Sequence, residues 1–76
     1  MSVYKVIELV GTSPTSWEEA AANAVNTAAS TLEDIRIAEV VELDMRVEDN
    51  RVMAYRARVK VSFKYHSEYA DSAPME

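Results

Sequence analysis

Seventy-six residues without a cysteine, at a formal net charge of −5, describe one small acidic domain. That composition excludes disulfide staples and thiol chemistry, and it argues against nucleic acid, which calls for clustered Lys and Arg. So short a chain buries only about 60% of its unfolded surface, so a partner copy becomes a serious candidate for the missing burial.

The single histidine, His66, argues against a His-cluster metal site within one chain. Apolar runs fall far short of a membrane span. The N-terminus reads straight into a strand pattern, with no secretory h-region. The expectation is a soluble, cytoplasmic protein with no nucleic-acid or membrane partner.

Val3 to Val10 (V-Y-K-V-I-E-L-V) is β-rich and reads as the first strand. Val3, Ile7 and Leu9 take one face, while Tyr4, Val6 and Val10 take the other. One helix covers only one face of a sheet, so the second apolar face asks for another subunit. The alternative is an edge strand with a few exposed valines.

Gly11 to Thr15 is turn-like in composition and holds the only glycine. Ser16 with Glu19 fits a capping box, in which the hydroxyl takes an orphan N–H and the carboxylate reaches back. Trp17, Ala20, Ala21, Ala24, Val25, Ala28, Ala29 and Leu32 then recur at helical steps. This helix is lined mostly by alanine, so it lies close to a sheet but buries little area per residue. Trp17 reads as a packing anchor in preference to a ligand platform.

Asp34 to Val47 reads as the second strand. Its alternation is clean from Val41 onward but out of phase upstream, where Glu39 would share the face of Val41. A one-residue bulge near Val40-Val41 repairs this and puts Ile37 and Glu39 on the face of Glu42 and Asp44. Glu48-Asp49-Asn50 is expected as a three-residue hairpin loop, pairing Val47 with Arg51 and Leu43 with Tyr55. Glu42 then stands opposite Arg56, with Asp44 diagonal to it.

Arg51 to His66 gives the clearest signal. Met53, Tyr55, Ala57, Val59, Val61, Phe63 and Tyr65 alternate with Arg56, Arg58, Lys60, Ser62 and Lys64. This is a strand with one apolar and one cationic face, the middle one of its sheet. The fold class is α+β: β-α-β-β, with a three-stranded antiparallel sheet in order 1-3-2 wrapped on one amphipathic helix. Residues 1–66 form the domain, and 67–76 are expected to fray.

No Ser-His-acid set and no Gly-rich phosphate loop point to catalysis, and nothing fixes the separation of Glu8 and Glu39. The chain therefore reads as a non-enzyme. Glu42 and Asp44 are the candidate metal ligands, but calcium needs six to eight oxygens and these do not converge in one chain. Around a symmetry axis, one carboxylate per copy would repeat into a ring. Cross-strand pairing of Glu42 and Asp44 with Arg56 and Arg46 is the simpler reading. Similarly, the basic stripe Arg56, Arg58, Lys60 and Lys64 either holds an anionic ligand or is neutralised by neighbouring carboxylates; neutralisation is favoured.

E-L-V-G-T-S (Glu8 to Ser13), S-W-E-E-A (Ser16 to Ala20), A-E-V-V-E (Ala38 to Glu42) and V-E-D-N (Val47 to Asn50) occur in one order and spacing. Together they resemble the dodecin family over residues 2 to 65. The resemblance implies a hollow homododecamer with helices outside and sheets lining the interior, and flavin stored at subunit interfaces in many members. It marks Ile37, Glu39, Asp44 and Arg56 as ligand-site positions. Flavin-binding dodecins carry a stacking Trp where this chain has Ile37. They commonly carry Gln where it has Arg56, and many carry Arg-Gly where it has Asp44-Met45. Flavin binding is therefore expected to be weak or absent. S-P-T-S-W-E-E and Ile-Arg-Ile are similar to the calcium-dodecin branch, which keeps the cage and lacks the flavin Trp. From the dodecin resemblance as a whole, the expected function is small-ligand binding or storage. The alternative is a calcium-binding, other cation-binding or purely structural assembly.

Overall fold

The computed structural model describes residues 2–65. In it β1 (Tyr4–Ser13), α1 (Trp17–Ala29), β2 (Ile35–Glu48) and β3 (Arg51–Lys64) follow one another. The sheet order is β1-β3-β2, with β3 antiparallel to both neighbours. The expected topology is therefore the observed one. His66 and the tail 67–76 lie outside the described residues.

Alternation places Ile7 and Leu9 of β1 and Val59 and Val61 of β3 on the face under the helix. The buried core is Ala20, Ala24, Ala57, Val59 and Val61, flanked by Ile7, Leu9, Ala21, Val25 and Ile35. It is thin, because alanine supplies the helix side. Its compensation is proximity: a Cβ placed on Gly11 would stand 2.0 Å from the carbonyl oxygen of Ala20. Gly11 thus belongs to β1, paired with Ala57, and not to the turn expected from composition. Its lack of a side chain lets the helix backbone approach.

The helix start keeps half of the expected capping box. The Ser16 hydroxyl accepts from the Glu19 N–H at 3.0 Å. The Glu19 carboxylate instead accepts from the Ser13 hydroxyl at 2.6 Å, tying the helix to the end of β1. The helix closes earlier than expected, at Ala29 with Ser30 as its cap, and Leu32 N–H donates back to Ala28 O at 2.9 Å. Asp34, at φ 57, turns the chain into β2.

The hairpin corrects the expected loop. Glu48 pairs with Arg51 across the two residues Asp49 and Asn50, whose φ angles are 51 and 60. Two left-handed central residues suit a type I′ turn, whose twist matches the flanking strands. The polar-against-apolar ladder that such a turn would force is avoided by an irregularity. Val47 pairs with Val52 but Arg46 with Ala54, so Met53 is the extra residue. The bulge between Val40 and Glu42 is as expected, and another falls between Ile35 and Ile37.

The helix packs mainly on β1 and β3 and scarcely reaches β2. Val40, Leu43 and Met45 of β2 consequently remain exposed on the helix side. On the opposite, open face Tyr4, Val6, Val10 and Ile37 are exposed as well, Ile37 at 65%. One chain leaves apolar surface on both sides of its sheet.

Candidate functional site

The open face is an ionic ladder bordered by aliphatic side chains. Its rungs follow from register: Glu8, Lys60 and Glu39 share one, Val10, Arg58 and Glu42 the next, and Thr12, Arg56 and Asp44 the third. The central strand supplies the cations, and the edge strands supply the carboxylates. Between Glu39 and Glu42 the bulge skips Val41, which keeps the acids on one face.

Asp44 and Arg56 form the tightest contact. Arg56 Nε donates to Asp44 Oδ1 at 2.6 Å and Nη2 donates to Oδ2 at 2.9 Å. The expected register set these residues diagonally; the shorter turn and the Met53 irregularity put them directly opposite. Glu42 faces Arg58 instead of Arg56, with Arg58 Nε 3.6 Å from its carboxylate. Arg58 Nη1 also reaches Glu8 at 3.3 Å. Arg46 pairs along its own strand with Glu48 at 2.7 Å, not with Glu42 or Asp44.

The hydrogen bonds from Arg56 hold the Asp44 carboxyl below the usual carboxylate range, aided by the charges of Arg56 and Arg58 and opposed by partial desolvation. Reciprocally, the Arg56 guanidinium is pushed above its ordinary range, first by its hydrogen bond to Asp44. Both groups are ionised at neutral pH.

A contact from the other side of the sheet was not legible in the sequence. Trp17 Nε1 donates to the backbone carbonyl of Asp44 at 2.9 Å. Its ring also meets Tyr55 edge-on, with centroids 5.1 Å apart and planes at 75°. Trp17 is the packing anchor expected of it, and in addition it pins the segment of β2 that carries Asp44. No local pattern signals this, because the partner is a backbone atom 27 residues away.

The four ligand-site positions lie on one face without forming one pocket. Ile37 stands opposite Ser62, and Asp44 stands opposite Arg56. Six residues of β3 separate those rungs, about 20 Å at strand rise. The depression between β1 and α1 (about 250 Å³) and that beyond the helix end (about 360 Å³) contain none of the candidates. Among the described residues no three His, Cys, Asp or Glu gather to hold a metal ion. Asp44 has both oxygens engaged by Arg56. The described residues of a single chain therefore do not bring together the six to eight oxygens that calcium usually takes. No helix among the described residues is long and apolar enough to cross a membrane.

The fold and its charged open face define a class: small α+β chains with one helix on one side of a three-stranded antiparallel sheet and an exposed ionic ladder on the other. The chain belongs to the dodecin family, whose model, described as Dodecin, matches residues 3–66. It is 56% identical over 64 residues to calcium dodecin of Mycobacterium tuberculosis, covering 84% of this chain and 90% of that protein. Among solved structures it is similar to the calcium-chelating calcium dodecin of Mycobacterium tuberculosis, at 50% identity and a TM-score of 0.78, covering 97% of this chain and all (100%) of that one. That structure carries a calcium-binding site. Dodecin from Streptomyces coelicolor aligns at a TM-score of 0.83 and 33% identity, covering 88% of this chain and 96% of its own.

Proposed function

We propose that this chain is a non-enzymatic binding or storage protein that works as a hollow homododecamer, with the open face of its sheet turned inward to a small ligand or cation. The observation that carries this reading is the double exposure of the sheet. Val6, Val10 and Ile37 are uncovered on one side, and Val40, Leu43 and Met45 on the other. Exposed apolar surface of this extent marks an interaction face. Light scattering on the eluting protein tests the assembly. A mass near twelve chains is expected; a folded monomer at dilute concentration would overturn it.

Flavin is a poor fit for this face. Ile37 gives an isoalloxazine ring dispersion contacts but no π face. Asp44 repels a flavin phosphate, and its bond to Arg56 removes the cation that would offset this. Riboflavin and FMN fluorescence is therefore expected to be little quenched at micromolar protein, and strong quenching would refute the point.

The second reading, calcium binding, is favoured by the 56% identity to calcium dodecin. Since the described residues of one chain do not complete such a site, it would take carboxylates such as Glu42 from several copies around a symmetry axis, and Asp44 only where the ion displaces Arg56. Calorimetry with calcium on metal-free assembly decides it: heat and a raised melting temperature support it, and their absence disposes of the calcium reading.

A further inference from the structure

We propose that Arg56 is the specificity-determining residue of the open face: a built-in counter-ion that closes Asp44 to external cations, while Asp44 closes Arg56 to external anions. This rests on the reading above that the face takes small ligands or cations.

The geometry sets this pair apart from its neighbours. Arg56 uses two donors and Asp44 both oxygens, at 2.6 and 2.9 Å. The adjacent cation, Arg58, is divided between Glu8 at 3.3 Å and Glu42 at 3.6 Å. A parallel two-bond fork is the strong form of a charge-assisted contact, and only a planar guanidinium provides it. The pair is also held from behind, because Trp17 fixes the Asp44 backbone at 2.9 Å. Yet it is not sealed: the side chains of Arg56 and Asp44 are 39% and 40% exposed, so ions reach it.

An entering divalent cation gains Asp44 only by displacing the guanidinium. An entering phosphate gains Arg56 only by displacing the carboxylate. Each residue is thus the internal competitor for the ligand class that the other would attract. Removing one partner unmasks the other, and the direction of the change identifies the lock.

The test compares the full-length assembly with Arg56→Gln, Asp44→Asn and a control, Arg46→Gln, which removes the same charge from a pair outside the fork. Calcium chloride is titrated calorimetrically, and FMN and riboflavin are titrated by fluorescence. Arg56→Gln is expected to tighten calcium binding about tenfold or more, or to make it measurable, while Arg46→Gln leaves it unchanged. Asp44→Asn is expected to raise affinity for FMN relative to riboflavin by about tenfold, because only FMN carries the phosphate. Equal calcium affinities for Arg56→Gln and Arg46→Gln, or an unchanged FMN-to-riboflavin ratio in Asp44→Asn, overturn the proposal. Should Arg56→Gln fail to assemble, Arg56→Lys replaces it; it keeps the charge without the fork, and a gain of about threefold or more over Arg46→Gln is expected. A calcium affinity no greater than that of Arg46→Gln overturns the proposal there too. Wild-type binding alone judges the reading of the face; the difference between variants judges the lock.

Discussion

Gly11 and Ala20 meet so closely that the strand has no room for a side chain: a Cβ on Gly11 would lie 2.0 Å from Ala20 O and 2.9 Å from Ala24 Cβ. The helix is lined by alanine where it crosses β1, and the sheet answers with its one glycine. Both small residues serve the same short distance.

Gly11→Ala must therefore push the helix outward, because the obstacle is backbone and not a movable side chain. The expected cost is about 3 kcal/mol, at the upper end for an added methyl in a packed core. Denaturant midpoints measure it. A variant as stable as the wild type would show that the helix floats.

Trp17→Phe keeps an aromatic ring beside Tyr55 but removes the donor to Asp44 O. A loss of about 1 kcal/mol is expected from the missing hydrogen bond. Trp17→Ala, which also loses the ring packing, should cost about 3 kcal/mol. If the two variants melt together with the wild type, Trp17 anchors nothing.

Asn50 is left-handed at φ 60 in the hairpin turn. Asn50→Gly removes the strain of a Cβ there and is expected to hold or slightly raise the melting temperature. Asn50→Val puts a β-branched residue in the same conformation and should cost about 1–2 kcal/mol. Equal melting temperatures for the two variants would contradict the left-handed turn.

The Asp44 carboxyl is held below its ordinary value of 3.8, chiefly by the hydrogen bond from Arg56. A lowered folded-state value means stability that is complete above the unfolded-state pKa and is lost as pH falls through the folded one. The acid side of the stability profile, below about pH 4, should thus carry an Asp44 contribution. Asp44→Asn has no such proton to take up, so its profile should be flatter over that range. Parallel profiles for the two proteins would remove Asp44 from the acid response.

The order of the elements and the faces of the strands were legible in the residues alone, though Gly11 is turn-like by composition and belongs to β1. The alternation from Met53 to Tyr65 identified β3 and its central place, and the mismatch between Glu39 and Val41 located a bulge. These signals are local: side chains alternate with a period of two along any strand, whatever it pairs with. The family motifs were equally readable, because they are short runs of residues in a set order.

Which charges meet was set by the folded register. Moving the hairpin from three residues to two and adding Met53 shifted the ladder, so Asp44, not Glu42, faces Arg56. Register depends on turn geometry and bulges taken together, and an error of one residue in either re-pairs every rung beyond it. The Trp17 bond to Asp44 and the Gly11 contact with Ala20 were likewise beyond sequence reading. Both join a side chain or a missing one to distant backbone, and backbone atoms leave no mark in the order of residues.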